Sequence, residues 1–231
     1  MKVTLVVFCI NEIDGMRAMM PKIKKEWYDE LIVVDGGSTD GTLEYCKENG
    51  YPYFIQEGKG PGPAFKQSYE RATGDIVVIY APDGSFEVER IPEIVKLIKD
   101  GADIVNVSRY AKGAKSFDDN IATGTANWGF SFLARLMFGW KITDLLYTYV
   151  GFRKSLLKEL EMDTDLITLN QILLLRAYMA GKKVVEIPGI EHKRVGGAVK
   201  VPKIRTAFVI LNTLLQERFR SQRRRLNAAR T

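Results

Sequence analysis

Over its first 110 residues the chain alternates short apolar runs, rich in β-branched residues, with stretches of helical period, and few folds accept that rhythm. Val3–Phe8, Leu31–Val34, Tyr53–Ile55, Ile76–Tyr80 and Ile104–Val107 read as strands, mostly apolar on both faces. Such strands must be covered on both sides, as in a parallel sheet packed between two layers of helices. Helices are expected around Gly15–Lys25, Thr42–Asn49, Pro63–Thr73 and Val88–Lys99, with Gly50, Gly74 and Gly101 as their C-terminal caps. The fold class that follows is α/β, a doubly wound, mostly parallel and Rossmann-like sheet flanked by helices.

After Tyr110 the pattern changes. A polar segment, Ala111–Asn120, leads into a long helix from about Ile121 to Phe138. Further on come a helix from about Leu166 to Ala180, a strand at Lys183–Ile187, and a final helix from about Lys203. Without repeats or a low-complexity linker, the two halves are expected to share one sheet. That makes residues 1–220 a single domain and residues 221–231 a basic tail.

Composition narrows the setting. The only cysteines are Cys9 and Cys46, and His192 is the lone histidine. Two thiols cannot form a disulfide framework, and this set cannot build a Cys/His zinc site. A reducing, cytoplasmic compartment suits such a chain. Lys2 leads into a strand-like run rather than a signal peptide, and no apolar stretch reaches the ~18–20 residues of a membrane span. The net charge of +6 is unevenly spread. Residues 190–231 hold 11 of the 34 basic residues and 2 of the 28 acidic ones, leaving 23 basic against 26 acidic in the rest. A basic C-terminus beside an acidic body suits an anionic surface, either lipid headgroups or nucleic acid. It equally suits a solvated end that keeps the protein soluble.

In an open parallel sheet, ligands bind beyond the carboxyl ends of the strands. Those positions read Asn11-Glu12, then Asp35-Gly36-Gly37-Ser38-Thr39-Asp40-Gly41-Thr42, then Gly58-Lys59-Gly60-Pro61-Gly62, Asp83-Gly84-Ser85 and Ser108-Arg109-Tyr110. Any one of these is an ordinary turn. Five in agreement indicate one long cleft for a polar ligand. A dinucleotide site would carry G-x-G-x-x-G after the first strand, where the chain reads Cys9-Ile10-Asn11-Glu12-Ile13-Asp14-Gly15. The glycines at 58–62 lack the Gly-Lys-Ser/Thr of a phosphate-binding P-loop.

Together, Asn11-Glu12, the Val33–Thr42 run and Ala72-Thr73-Gly74-Asp75-Ile76-Val77-Val78 followed by Asp83 resemble a GT-A glycosyltransferase of family 2. Ser108-Arg109-Tyr110, Thr143-Asp144-Leu145, Phe152-Arg153 and Glu186-Ile187-Pro188 through Arg194-Val195-Gly196-Gly197 with Lys200 are similar to the dolichol- and polyprenol-phosphate sugar synthases. The resemblance runs from about Val3 to Glu217. It implies a nucleotide-diphosphate sugar donor, a UDP- or GDP-sugar, held by Asn11, Glu12, Asp35, Gly36, Gly37, Ser38, Gly60, Arg109 and Lys200. Glu12 and Asp35 would accept from base and ribose donors; their plainer reading is helix capping or turn formation.

The resemblance also implies a divalent cation, Mg²⁺ or Mn²⁺, at Asp83 and Ser85, where it would neutralise the departing diphosphate. The family usually places two aspartates there, whereas this chain has Ala81-Pro82-Asp83. Asp83, Arg194 and Asp144 are the implied catalytic residues, with Gly196 and Gly197 giving the Arg194–Lys200 segment its freedom to close over the donor. His192 reads as structural. A polyprenyl phosphate acceptor is already ionised and needs no general base. The stretch Thr168-Leu169-Asn170-Gln171-Ile172, acidic in the family, has no acid here and favours that acceptor. Aromatic and aliphatic residues of Ala126–Trp140 and of the last helix, with the arginines from Arg218 to Arg225, suit peripheral contact with an anionic membrane. Each apolar face could equally pack on the core. Competing readings are transfer to a sugar hydroxyl, a non-catalytic nucleotide-sugar-binding protein and, last, nucleic-acid binding.

Overall fold

A computed structural model describes residues 1–118, 121–196 and 203–228. The elements run β1 (Val3–Cys9), α1 (Ile13–Met19), β2 (Glu30–Asp35), α2 (Thr42–Glu48), β3 (Tyr53–Ile55), α3 (Pro61–Arg71), β4 (Ile76–Tyr80), α4 (Arg90–Lys99) and β5 (Ile104–Ser108). They continue with β6 (Lys115–Ser116), α5 (Ile121–Phe138), β7 (Val150–Arg153), α6 (Leu156–Glu159), α7 (Leu169–Met179), β8 (Val184–Pro188), β9 (Ile190–Glu191) and α8 (Lys203–Ala228).

Seven strands form one sheet in the order β3-β2-β1-β4-β7-β5-β8. All neighbours pair in parallel except β7, which runs antiparallel to both β4 and β5. The expected mostly parallel α/β sheet is thus present, and strands of both halves share it. A small second pairing joins β6 to β9.

Side chains alternate across the sheet into two cores. Leu5, Val7, Val78 and Tyr80 face α1 and α4, meeting Met16, Ile91, Ile94 and Ile98. Val6, Val77, Ile79 and Phe152 face the other layer, meeting Phe65 and Tyr69 of α3, Ala134 of α5, Leu173 and Leu174 of α7, and Leu214 of α8. Burial on both faces explains the unbroken apolar strand sequences.

Some sequence expectations shift. The helix expected over Gly15–Lys25 ends at Met19, because Pro21 lacks an N–H and opens a short 3₁₀ turn, Met20–Lys22. Gly50 and Gly101 take left-handed conformations after their helices, with φ of 65° and 103°. Gly74 does not: a Cβ there would lie 2.7 Å from Thr4 N, so it serves close approach to β1. The final helix continues through Ala228, past residue 220, after which the basic tail is expected to begin.

β7 went unread in the sequence because it is four residues long and holds a glycine. The chain enters it from the carboxyl edge of the sheet, which dictates its reversed direction. At Gly151 a Cβ would lie 2.2 Å from Ile94 Cγ2 of α4. Gly151→Ala is therefore expected to cost about 1–3 kcal/mol through overpacking. Thermal unfolding should register a drop of several degrees, at about 2–4 °C per kcal/mol for a chain of this size.

Candidate active site

The carboxyl ends of β1, β2, β3 and β4 border a cleft of about 560 Å³. Phe8, Ile10, Val34 and Phe65 supply apolar wall; Glu12, Gln56, Lys59, Asp83 and Arg194 bring polar groups. Gly36, Gly58 and Gly60 contribute backbone. Of the residues singled out in the sequence, the cleft is lined by Glu12, Gly36, Gly60, Asp83 and Arg194.

Asn11, Asp35, Gly37 and Ser38 are spent on the frame instead. Asp35 is fully buried, and its Oδ1 accepts from Gly37 N (2.8 Å) and Ser38 N (2.7 Å). Its Oδ2 accepts from Ser38 Oγ (2.5 Å). Ser38 Oγ accepts in turn from Asn11 N (2.8 Å), and Asn11 Oδ1 accepts from Thr39 N (2.8 Å). Asn11 takes a left-handed φ of 48° to reach across. The turn-forming reading of Asp35 describes this geometry: the carboxylate binds its own loop and locks the ends of β1 and β2 together. Asp40 reinforces the lock through Thr42 and Ile13 N; burial opposes its charge, but these donors outweigh burial and hold its carboxyl below the usual range. Gly36 makes room for Ile10, whose side chain stands 2.9 Å from where a Cβ would sit.

Asp83 follows β4 and is almost wholly buried. Its Oδ1 accepts from Ser85 N (2.9 Å) and Ser85 Oγ (2.6 Å), and its Oδ2 faces Arg194 Nη1 at 3.1 Å. Ser85, expected as a metal ligand, thus donates its hydroxyl to Asp83. Rings fix this loop from below. Phe86 stacks on Tyr149 at 4.5 Å, Tyr147 Oη donates to Ser85 O (3.3 Å), and Tyr149 Oη donates to Glu87 O (2.7 Å). Gly15 admits the loop beside α1, since a Cβ there would lie 2.3 Å from Pro82 O. Among the described residues no group of three or more His, Cys, Asp or Glu could hold a metal ion. Of the described residues that line the cleft at the end of β4, Asp83 is the one carboxylate there for a cation. That fits a hard ion such as Mg²⁺, which keeps several waters and shares its ligands with substrate phosphates.

Asp144 and Arg109 form a separate, buried unit outside the cleft lining. Asp144 is fully buried and accepts from Arg109 N, Nε and Nη2 at 3.1, 2.8 and 3.1 Å. It also accepts from Leu146 N (3.0 Å) and Tyr147 N (3.2 Å). Asp144, expected among the catalytic residues, thus accepts five hydrogen bonds from its own chain and does not line the cleft. Burial works against the charge of Arg109, but Asp144 outweighs it and holds the guanidinium firmly protonated, with Glu191 3.5 Å away. Glu186 anchors this corner, accepting from Thr143 N (2.9 Å) and Asp144 N (3.1 Å). Its own burial raises its carboxyl despite those bonds. Lys200 and Gly197 lie outside the described residues.

Tyr147, Tyr149, Gly15 and Gln56 escaped the sequence reading. The ring-rich run Tyr147-Thr148-Tyr149 was the available signal, and it looks like ordinary core.

A mostly parallel sheet with one reversed strand and a cleft at its carboxyl edge is the GT-A arrangement. The particular family follows from the match of residues 4–161 to the model described as glycosyl transferase family 2. The chain belongs to that family and is a glycosyltransferase. It is 30% identical over 194 residues to the dolichyl-phosphate hexose transferase of Haloferax volcanii, covering 83% of each chain. To the dolichol-phosphate mannosyltransferase of Pyrococcus furiosus it is 29% identical over 221 residues, covering 91% of this chain and 62% of that longer one. Among solved structures, glucosyl-3-phosphoglycerate synthase from Mycobacterium tuberculosis, in complex with Mn²⁺, UDP-glucose and phosphoglyceric acid, superposes with a TM-score of 0.70 at 20% identity. That match covers 94% of this chain and 79% of the other.

Removing one partner of a buried ion pair strands the other. Asp144→Ala is expected to lower stability by about 3–5 kcal/mol, read by urea unfolding. Asp144→Asn, which keeps the shape and part of the hydrogen bonding, should lose less.

Proposed function

We propose that the protein transfers a sugar from a nucleoside diphosphate sugar, UDP- or GDP-linked, to a polyprenyl phosphate, with inversion at the anomeric carbon. One observation carries the reading: a cleft with apolar walls for a base closes at one end on an opposed carboxylate and guanidinium, Asp83 and Arg194. The names of the dolichyl- and dolichol-phosphate transferases that the chain resembles support the acceptor.

The roles follow from chemistry. The base lies between Phe8, Ile10, Val34 and Phe65, while Glu12 accepts from base or ribose donors and the backbone at Gly36 and Gly60 approaches closely. Asn11, Asp35, Gly37 and Ser38 keep that wall in place. Arg194 and Lys200 hold the diphosphate, Arg194 as a planar fork and Lys200 as a point charge. Arg109, expected among the donor-binding residues, acts here by holding the loop after β5 through Asp144 and Glu191. A divalent cation, Mg²⁺ or Mn²⁺, held through Asp83 would neutralise charge on the leaving diphosphate. An oxygen of the acceptor phosphate attacks the anomeric carbon as its bond to the donor phosphate oxygen breaks, and the nucleoside diphosphate leaves on the opposite side. The acceptor is ionised at neutral pH, so no proton has to be removed. Among the described residues that line the cleft, Glu12 and Asp83 are the only acids, which leaves no third carboxylate to deprotonate a hydroxyl.

The reading extends to where the enzyme works. Residues 1–220 act as one catalytic unit and residues 221–231 as a basic extension, at the inner face of the cell membrane. No described helix is long and apolar enough to cross a membrane. Instead Trp128, Phe132 and Leu136 expose one stripe of α5, and Phe208, Leu211, Leu215 and Phe219 expose one stripe of α8. The two helices touch, and the opposite face of α8 (Ile210, Thr213, Leu214) is buried. Apolar stripes next to a cationic terminus suit an anionic bilayer surface.

Two measurements test this. Radiolabelled sugar from UDP- or GDP-hexoses should enter undecaprenyl or dolichyl phosphate in detergent, and Asp83→Asn should slow transfer by about 100-fold or more. Label appearing in a saccharide and never in lipid overturns the acceptor. In sedimentation with phosphatidylglycerol-containing vesicles, Trp128→Ser with Phe208→Ser should weaken binding by about tenfold or more, and added salt should weaken it further.

A further inference from the structure

Arg194 is held between two carboxylates with one hydrogen bond unmade. Its Nη1 is 3.1 Å from Asp83 Oδ2, and its Nε is 3.6 Å from Asp118 Oδ2. That Nε is buried and makes no hydrogen bond. An N–H shut away from water without an acceptor costs free energy, so this pose is one the side chain leaves when a better set of oxygens arrives. Asp83 is committed as well, with Oδ1 taken by Ser85 and Oδ2 by the guanidinium. Because the chain reads Ala81-Pro82-Asp83, this loop turns one carboxylate rather than two toward the guanidinium.

The backbone beneath stays fixed. Val195 N donates to Asp83 O (2.8 Å) and His192 N to Ser85 O (3.1 Å), and Gly84 leaves the room that Val195 occupies. Rotation of the Arg194 side chain alone can break its contact with Asp83 while the two loops remain clamped.

We propose that Arg194 exchanges partners: it neutralises Asp83 in the free protein and moves to the diphosphate when the donor binds. Asp83 then becomes available to a cation only once a diphosphate is present. The guanidinium is the resident cation of the empty site, and like charges a few ångströms apart repel, so a divalent ion alone meets an occupied carboxylate. This inference rests on the donor-site reading above and adds an order of assembly to it.

The exchange predicts an unusual effect of deleting the carboxylate. Binding of UDP and of GDP is measured by calorimetry in EDTA for the wild type, Asp83→Asn, Arg194→Met and the double variant. Asp83→Asn releases Arg194 beforehand and should tighten metal-free binding about tenfold, or about 1.4 kcal/mol. That gain should vanish when the double variant is compared with Arg194→Met. If Asp83→Asn brings no gain, Asp83 does not hold the guanidinium back from phosphate, and if it brings the same gain without Arg194, Asp83 merely repels phosphate; either result overturns the exchange while the donor reading stands. Should Arg194→Met unfold, Arg194→Gln takes its place in both the single and the double variant, and the same comparison is made. If no protein binds either nucleotide, with or without Mn²⁺, the donor reading falls and this inference falls with it.

Discussion

A sheet buried on both faces can present polar chemistry only where its strands end. In this protein the two cores consume most side chains of β1, β2, β4 and β5, which leaves the strand ends as the place for the polar cleft. The site is a consequence of that burial. Aromatic packing then supplies the precision: Phe86, Tyr147 and Tyr149 form a rigid floor whose hydroxyls hold the backbone beside Asp83. A loop fastened in this way can keep a nearly buried carboxylate facing a guanidinium without drifting.

Polar groups near the cleft divide into those that face it and those that shape it. Asp35 and Asp144 are both fully buried, and both bind several donors of their own chain. Each costs desolvation that its hydrogen bonds offset, and each fixes a neighbour: Asp35 sets the loop after β2, and Asp144 sets Arg109. Asp83, by contrast, binds Ser85 and Arg194 and lines the cleft, which is what the proposed cation site draws on.

How far the sequence could be read follows the same division. The alternation of strands and helices gave the α/β class and every long parallel strand, because two-sided burial writes itself into Val3–Cys9 and Ile76–Tyr80 as continuous apolar runs. The residues after the strands pointed to the right edge. Which of them face the cleft was not legible, since Asp35 and Glu12 are both carboxylates at the carboxyl ends of strands, and only their hydrogen-bond partners and placement distinguish frame from lining. β7 was missed for a different reason: the Val-Gly-Phe-Arg of 150–153 carries no period long enough to signal a strand, and its place between β4 and β5 is decided by Ile94 settling over Gly151.

The reversed strand has a consequence for how such an enzyme can diversify. Everything between the end of β5 and the start of β7 departs from and returns to the same edge of the sheet, like a handle fixed at both ends. Its length and composition can therefore change without altering the pairing of any strand whose end borders the cleft. A lineage can lengthen, shorten or recompose that connection while inheriting, untouched, the strand order on which the cleft is built.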